Sequence, residues 1–240
     1  MRVVDQAALT HVGLRRELNE DNHAALPELG MGGVADGMGG HEGGEIASEI
    51  ARDQLIEGAR LGRSLVETIE EAHEEIMSHP LAGGDRGMGT TVVALRARLD
   101  GDRVEIAWVG DSRAYVLDET GLTQRSRDHT LVQKMVDSGV LAMADVSAHP
   151  ERNVILQALG IDHSASPLNI ETWSTHLTGP ARVLLCSDGL TEHVSDPTLA
   201  ELLSRSSCQE AAQALVDAAL AGGGSDNITV IVVDLAPGCD

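Results

Sequence analysis

The pattern of apolar and polar positions predicts two consecutive amphipathic helices early in the chain. Residues 44–59 place apolar side chains on one face, at Ile46, Ile50 and Leu55. Residues 65–78 repeat this spacing with Leu65, Ile69, Ala72 and Ile76, while glutamates occupy the other face. Ser64 and Glu67 have the spacing of a capping box, which predicts that the second helix begins at residue 65.

Shorter apolar runs predict strands before and after these helices. The predicted strands cover residues 3–13, 23–26, 31–35, 90–98, 103–109, 113–118, 122–125, 168–175, 181–187 and 227–235. Asp100-Gly101 is a strong turn signal, so we expect the fourth and fifth of these strands to form a hairpin.

Three further helices are predicted by their first residues. Thr130 and Gln133 begin a short helix that reaches about residue 138, and Ser195-Asp196-Pro197 begins another with proline in its first turn. Ser207 and Glu210 cap a helix over about 208–220, which three glycines at 222–224 end. Residues 139–153 have weak periodicity, and we interpret them as a mobile flap.

The order of elements is strands, two helices, many strands, two helices and one strand. This order lacks the alternation of a parallel α/β protein and predicts antiparallel sheets covered by helices, an α+β layered fold. With no internal repeat and no linker, residues 1–240 are expected to form a single domain.

Composition narrows the possible functions. The 42% apolar share is typical of a globular protein, and the net charge of −21 repels phosphate backbones and anionic membranes. With one Tyr, two Trp and no Phe, the chain lacks stacking platforms for single-stranded nucleic acid. We therefore expect neither a nucleic-acid nor a membrane partner.

The cysteines and the N-terminal sequence indicate the compartment. Cys186, Cys208 and Cys239 are far apart and form no CxxC pair, which argues against a disulfide framework and a zinc site. The first residues contain no signal-peptide core, and no apolar run approaches the roughly 20 residues that span a bilayer. We expect a cytoplasmic protein.

Candidate chemistry lies in acids at strand boundaries. The segment 34–41 reads Val-Ala-Asp-Gly-Met-Gly-Gly-His, so that a strand ends in Asp36 and glycines follow. The other acids at such boundaries are Glu20, Asp21, Asp111, Asp188 and Asp226. Any one of them has the alternative interpretation of a turn former. If the strand ends converge, however, the acids form an all-oxygen site that needs divalent cations such as Mg²⁺ or Mn²⁺.

At these residues the chain resembles the metal-dependent PPM family, the type 2C protein serine/threonine phosphatases, and in particular its bacterial members. The matching stretches occur in the family's order over nearly the whole chain: Arg16-x-x-Asn19-Glu20-Asp21, Val34-x-Asp36-Gly37-Met38-Gly39-Gly40, Gly89-Thr90-Thr91, Val109-Gly110-Asp111-Ser112-Arg113, Asp128-His129-Thr130, Leu156-Gln157-Ala158-Leu159-Gly160, Cys186-Ser187-Asp188-Gly189-Leu190 and Ser225-Asp226-Asn227-Ile228-Thr229. The resemblance implies a four-layer α/β/β/α sandwich, two stacked antiparallel sheets flanked by helices, with a metal site at one edge.

The resemblance also implies roles for individual residues. Asp36 would bridge two metals, Asp188 and Asp226 would complete one of them, and the Gly37 carbonyl would join the other. Glu20 and Asp21 would bind the ion directly or through water molecules. Arg16, Asp21 and Asp36 would be the catalytic residues. Asp111 matches the position of a third metal, so two to three Mn²⁺ or Mg²⁺ ions are implied.

Arg16 matches the arginine that binds the substrate phosphate, and the residue type agrees because a guanidinium offers phosphate a planar, bidentate fork. The alternative is a surface ion pair with Glu17 or Glu20. The general acid stays unassigned, since Met38 stands where some members have histidine. His41 is close in sequence, but we interpret it as a polar residue at the start of a helix.

The implied activity is hydrolysis of phosphoserine and phosphothreonine in proteins by a metal-activated water, without a covalent intermediate. The expected partners are phosphorylated proteins, a bacterial serine/threonine kinase and its substrates, and the expected state is a monomer. Two alternatives stay open: an inactive phosphoprotein-binding regulator, and a phosphatase dedicated to one regulatory partner.

Overall fold

The computed structural model describes residues 2–39, 42–82, 87–97, 103–162 and 167–237. Its strands are β1 Arg2–His11, β2 Asp21–Leu26, β3 Met31–Met38, β4 Gly89–Thr90, β5 Val92–Ala97, β6 Arg103–Val109, β7 Arg113–Asp118, β8 Gly121–Gln124, β9 Glu171–His176, β10 Ala181–Cys186 and β11 Ile228–Ala236. Its α-helices are α1 Glu42–Leu61, α2 Leu65–Ser78, α3 Leu131–Asp137, α4 Asp188–Thr191, α5 Asp196–Leu203 and α6 Cys208–Gly222.

The strands form two sheets in which every described pair is antiparallel. One sheet has the order β1-β11-β10-β7-β8. The other has the order β2-β3-β5-β6-β9, with β4 paired to β3. The predicted α+β class is therefore confirmed.

Three apolar layers hold the sandwich together. Between the sheets, side chains such as Val34 and Ile106 pack against Val183 and Ile231 of the facing sheet. A second layer joins α1 and α2 to the sheet that contains β3, and a third joins α5 and α6 to the sheet that contains β11. Because both faces of β11 are buried, its sequence is a continuous apolar run and not an alternating one. The expected four-layer α/β/β/α arrangement is thus confirmed.

Polar residues at the N-cap positions fix the start of several helices, as predicted. The Ser64 hydroxyl accepts from the Glu67 N–H at 3.2 Å, and the Glu67 carboxylate accepts from the Ser64 N–H at 2.9 Å. Ser207 and Glu210 form the same reciprocal capping box at the start of α6. Thr130 accepts from the Gln133 N–H at 3.2 Å, which caps α3. These caps satisfy N–H groups that have no partner within the helix.

Some predicted features differ or lie outside the described residues. The predicted strand 90–98 is two strands, β4 and β5, because Thr91 interrupts the pairing. The flap segment 139–153 contains a 3₁₀ helix, Met143–Ala148. The Asp100-Gly101 turn, His41 and Cys239 lie outside the described residues. In the part of the chain that the structure covers, no helix is both long and apolar enough to cross a membrane.

Candidate active site

Asp21 and Asp36 face each other across two neighbouring strands. Asp21 is the first residue of β2 and pairs with Asp36 in β3, so this strand begins two residues before the predicted strand 23–26. The Asp21 Oδ2 atom accepts hydrogen bonds from the Ser187 hydroxyl at 2.8 Å and the Thr229 hydroxyl at 2.7 Å. Thr229 lies in β11 of the other sheet and Ser187 directly follows β10 of that sheet, so the Asp21 carboxylate connects the two sheets at this edge.

Three other predicted acids approach the same edge from separate segments. Asp111 follows β6, Asp188 begins the short helix α4 directly after β10, and Asp226 lies just before β11. Burial raises the pKa of Asp36 well above its usual range, and the negative charges of Asp21, Asp188, Asp111 and Asp226 raise it further. The structure therefore brings together carboxylates that are up to 205 residues apart in the sequence (226 − 21).

The electrostatics of this edge favour protons or cations. Burial raises the pKa of Asp21 to about 6 and the pKa of Asp111 to about 7. The pKa of Asp188 is also well above normal, because it is buried and faces Asp111 and Asp226. Desolvation and neighbouring negative charges disfavour the ionised form of these carboxylates. A divalent cation between them would stabilise that ionised form.

Two buried oxygens at this edge lack a donor. Within the described residues, neither Oδ1 of Asp21 nor Oδ1 of Asp111 has a hydrogen-bond partner. Buried carboxylate oxygens without partners cost free energy, and divalent ions of the Mg²⁺ or Mn²⁺ type prefer such oxygen ligands. The residues present therefore fit a site for hard divalent cations.

In the described part of the chain, however, the ligand atoms of these acids do not form a compact group. Among the described residues, the only group of three His, Cys, Asp or Glu side chains with ligand atoms within 4.8 Å of one another is Asp5, Cys208 and Asp234. In that group, both oxygens of Asp234 accept from Arg182, at 2.6 and 2.7 Å, and Asp5 accepts from the Cys208 N–H. That group thus anchors α6 to the sheet. Among the described residues, the edge carboxylates do not form a group of this kind.

Arg16 reaches the edge from the loop between β1 and β2. Its Nη2 atom lies 2.6 Å from Oδ2 of Asp226, a partner that is neither Glu17 nor Glu20, although the charge of Glu20 also acts on the guanidinium. This contact also raises the pKa of the guanidinium. The Arg16 side chain is 50% exposed, which leaves it accessible to a ligand.

Asn227 fixes the loop that carries Arg16. Its amide nitrogen donates to the carbonyls of Val12 and Leu18, at 2.9 Å each, and its amide oxygen accepts from the Glu20 N–H at 2.8 Å. Asn227 lies in one of the motifs that carry the family resemblance, but the sequence alone assigns it no role. No local pattern could have revealed one, since its partners lie more than 200 residues away.

The packing around residue 37 leaves room only for glycine. A Cβ atom there would lie 2.2 Å from the Gly44 carbonyl oxygen and 2.6 Å from that of Glu20. The glycine therefore lets the start of α1 approach the Asp36-Gly37 segment closely. Positive φ is needed two residues later, at Gly39, where φ is +128°.

His129 was also quoted in a motif without a role, and it supports the Asp111 loop. Its backbone N–H donates to the Gly110 carbonyl at 2.9 Å, and its Nδ1 atom accepts from the Gly110 N–H at 3.2 Å. The His129 carbonyl accepts in turn from the Leu156 N–H at 2.7 Å. The base of the flap and the segment that carries Asp111 are thus held by the same residue.

The comparisons with known proteins agree with this fold. The family model for protein phosphatase 2C matches residues 15–222. The serine/threonine protein phosphatase PstP of Mycobacterium tuberculosis is 38% identical over 240 residues, covering 97% of this chain and 45% of PstP. The serine/threonine phosphatase stp of Listeria monocytogenes is 35% identical over 240 residues, covering 94% of this chain and 93% of stp.

A solved structure shows the same architecture. The PstP catalytic domain in complex with two manganese ions has a TM-score of 0.84 and 34% identity, covering 98% of this chain and 99% of that one. The chain belongs to the protein phosphatase 2C family. It spans about half the length of PstP and nearly all of the Listeria relative.

Proposed function

We propose that this chain is a metal-dependent phosphatase that hydrolyses phosphoserine and phosphothreonine in proteins. The observation that supports this most strongly is the convergence of acids from separate segments around Asp36, which raises its pKa. The names of the Mycobacterium and Listeria relatives as serine/threonine phosphatases support the substrate class. The two manganese ions of the PstP catalytic domain support the cofactor.

The chain's own residues would hold two to three Mn²⁺ or Mg²⁺ ions. Asp36 would contribute to two ions, with the Gly37 carbonyl and Glu20 on one side. Asp188 and Asp226 would complete the other side, and Asp111 would hold a third ion. The buried Oδ1 atom of Asp111, which lacks a donor among the described residues, supports this ligand set.

Arg16 and Asp21 would serve the reaction directly. Bound divalent ions supply the Lewis acidity that activates water and offsets charge on the phosphoryl group. The Arg16 guanidinium, exposed at the edge, would bind phosphate oxygens through two parallel N–H groups. Asp21, fixed by Ser187 and Thr229 through Oδ2, keeps Oδ1 available to accept a hydrogen bond from water.

The first test is metal dependence. We expect hydrolysis of a phosphothreonine peptide to appear with Mn²⁺ and to disappear with EDTA, because the carboxylates of this edge would hold the ions that activate water. Phosphate release is measured before chelation, after it and after Mn²⁺ is restored. Full activity in EDTA would refute the proposal. A protein that binds the phosphopeptide and Mn²⁺ without turnover would instead be a phosphoprotein-binding regulator.

The second test concerns Arg16. We expect Arg16→Ala to raise the KM for a phosphothreonine peptide about tenfold or more, since a charge-assisted hydrogen bond contributes about 1.5–3 kcal/mol. Arg16→Lys should recover only part of this loss, because lysine keeps the charge without the fork. Arg15→Ala is the matched control, since Arg15 is the neighbouring exposed arginine in the same loop. Equal KM values for the two alanine variants would contradict the assignment.

The setting of the enzyme is also a proposal. The enzyme would oppose a bacterial serine/threonine kinase by acting on that kinase and its substrates, and would act as a monomeric, single-domain protein. The two described cysteines, Cys186 and Cys208, are free and buried, which supports a reducing cytoplasm. Burial raises the pKa of both thiols to about 12, so neither is a candidate nucleophile.

A further inference from the structure

Glu192 contacts two segments that frame the candidate active site. It directly follows α4, and its backbone N–H donates to the Asp188 carbonyl at 2.8 Å. One carboxylate oxygen, Oε1, accepts from Nδ2 of Asn153 in the flap segment at 3.0 Å. The other, Oε2, accepts from the Ser225 hydroxyl at 2.9 Å. A single side chain thus connects the flap to the loop that carries Asp226.

The Ser225 end of this connection is held firmly. Its backbone N–H donates to Nε2 of His193 at 3.0 Å, so this nitrogen acts as an acceptor. The hydroxyl also lies 2.7 Å from the same nitrogen, while its proton is directed to the Glu192 carboxylate. A hydroxyl that donates to a carboxylate forms a charge-assisted bond, which is stronger than a neutral one. Ser225, which directly precedes Asp226, is thus held by both Glu192 and His193.

The flap end is supported by a second group. Nη2 of Arg152 lies 3.9 Å from the same Glu192 oxygen that Asn153 contacts. The Glu192 side chain is 20% exposed, so part of its contact with Arg152 is shielded from solvent. The start of the flap segment is held by α3, because Gly139 donates its backbone N–H to Val136 and residues 140 and 141 donate theirs to Met135. Glu192 contacts the other end of the segment, at Asn153.

We propose that Glu192 is a positioning residue that couples the flap to the Asp226 loop. When the flap is displaced by a bulky substrate, Glu192 transmits the displacement through Ser225 to Asp226. A small substrate that does not reach the flap leaves this connection unchanged. The consequence for catalysis rests on the proposed phosphatase function, whereas the connection itself can be measured without any activity.

The connection is tested by hydrogen–deuterium exchange of the flap and the Asp226 loop. We expect Glu192→Ala to increase exchange in residues 139–153 and also in the residues around Ser225. Asn153→Ala, which removes only the flap contact, should increase exchange at both places as well. Glu201→Gln on α5 changes an exposed carboxylate elsewhere and is the control. Unchanged exchange in the flap of Glu192→Ala and Asn153→Ala would overturn the proposal.

Kinetics separate coupling from a merely structural role. We expect Asn153→Ala, which removes the flap contact but keeps the contact between Glu192 and Ser225, to lower kcat/KM about fivefold for a phosphoprotein substrate, chiefly through KM. The same variant should change hydrolysis of p-nitrophenyl phosphate far less. Glu192→Gln, whose amide keeps an acceptor for Asn153 or Ser225, should lose less activity than Glu192→Ala on either substrate. An equal loss of Asn153→Ala on both substrates would indicate general damage to the site and would overturn the proposal.

A double-mutant cycle provides the sharpest test. Asn153→Ala and Ser225→Ala remove the two ends of the connection while leaving Glu192 in place. If both act through Glu192, the double variant should show about the same loss as the larger single variant. Losses that multiply would show that the two contacts are independent. Loss of Mn²⁺-dependent activity in the unmodified protein would refute the proposed function but would leave the exchange result to be judged separately.

Discussion

Replacing Asp36 with asparagine is expected to abolish Mn²⁺-dependent phosphopeptide hydrolysis, with kcat/KM reduced by about 10³-fold or more. Asp36 is the acid whose pKa responds to all four of its acidic neighbours, so it lies where their fields overlap. Asparagine keeps the shape of the side chain but loses the charge and one oxygen ligand. Phosphate release from a phosphothreonine peptide under saturating Mn²⁺ provides the measurement.

The fold of this variant should remain intact. Asp36 pairs with Asp21 across β2 and β3 through the backbone, and asparagine does not alter that pairing. Circular dichroism and thermal unfolding in EDTA check this, and Asp217→Asn on α6 serves as the surface control for an Asp-to-Asn change. If Asp36→Asn retained activity that EDTA still removed, the catalytic ions would have to be held elsewhere.

Much of the fold could be predicted because its signals are local. The capping boxes of α2 and α6 are spaced three residues apart, and each helix begins where its box predicts. The continuous apolar run of β11 predicts a strand at 227–235, and the strand covers Ile228–Ala236. In each case a few neighbouring residues decide the local structure.

The candidate site could be predicted only in part. The acids were recognisable by their strand boundaries and by the family motif, but the ion pair between Arg16 and Asp226 joins residues 210 positions apart. The short helix α4 carries no periodic signal, since it has only four residues. The partners of Glu192 and Asn227 likewise depend on how the sheets stack, which no local pattern encodes.

The other large effect is expected on stability. In EDTA, Asp111→Asn should stabilise the protein at pH 8 by on the order of 3 kcal/mol and have little effect near pH 4. The pKa of Asp111 is raised to about 7 in the folded protein, mainly by burial and then by Asp128, whereas its ordinary value is 3.8. Below pH 3.8 the carboxyl is protonated in both states and its contribution to stability is fully present. That contribution is lost as the pH rises through about 7, because folding then requires burial of a charge.

Urea unfolding of both proteins across this pH range measures the difference. Comparing the variant with the unmodified chain at each pH removes the contribution of other acids, such as Asp118, whose pKa is lowered by its bonds to Thr120. Mn²⁺ should reverse the order at pH 8, because bound ions stabilise the folded state and Asp111 would be one of their ligands. A difference that does not change with pH would show that the folded protein already compensates the Asp111 charge. If Mn²⁺ stabilised both proteins equally, Asp111 would not be a metal ligand. The proposed roles of Asp36, Asp188 and Asp226 as ligands would be unaffected.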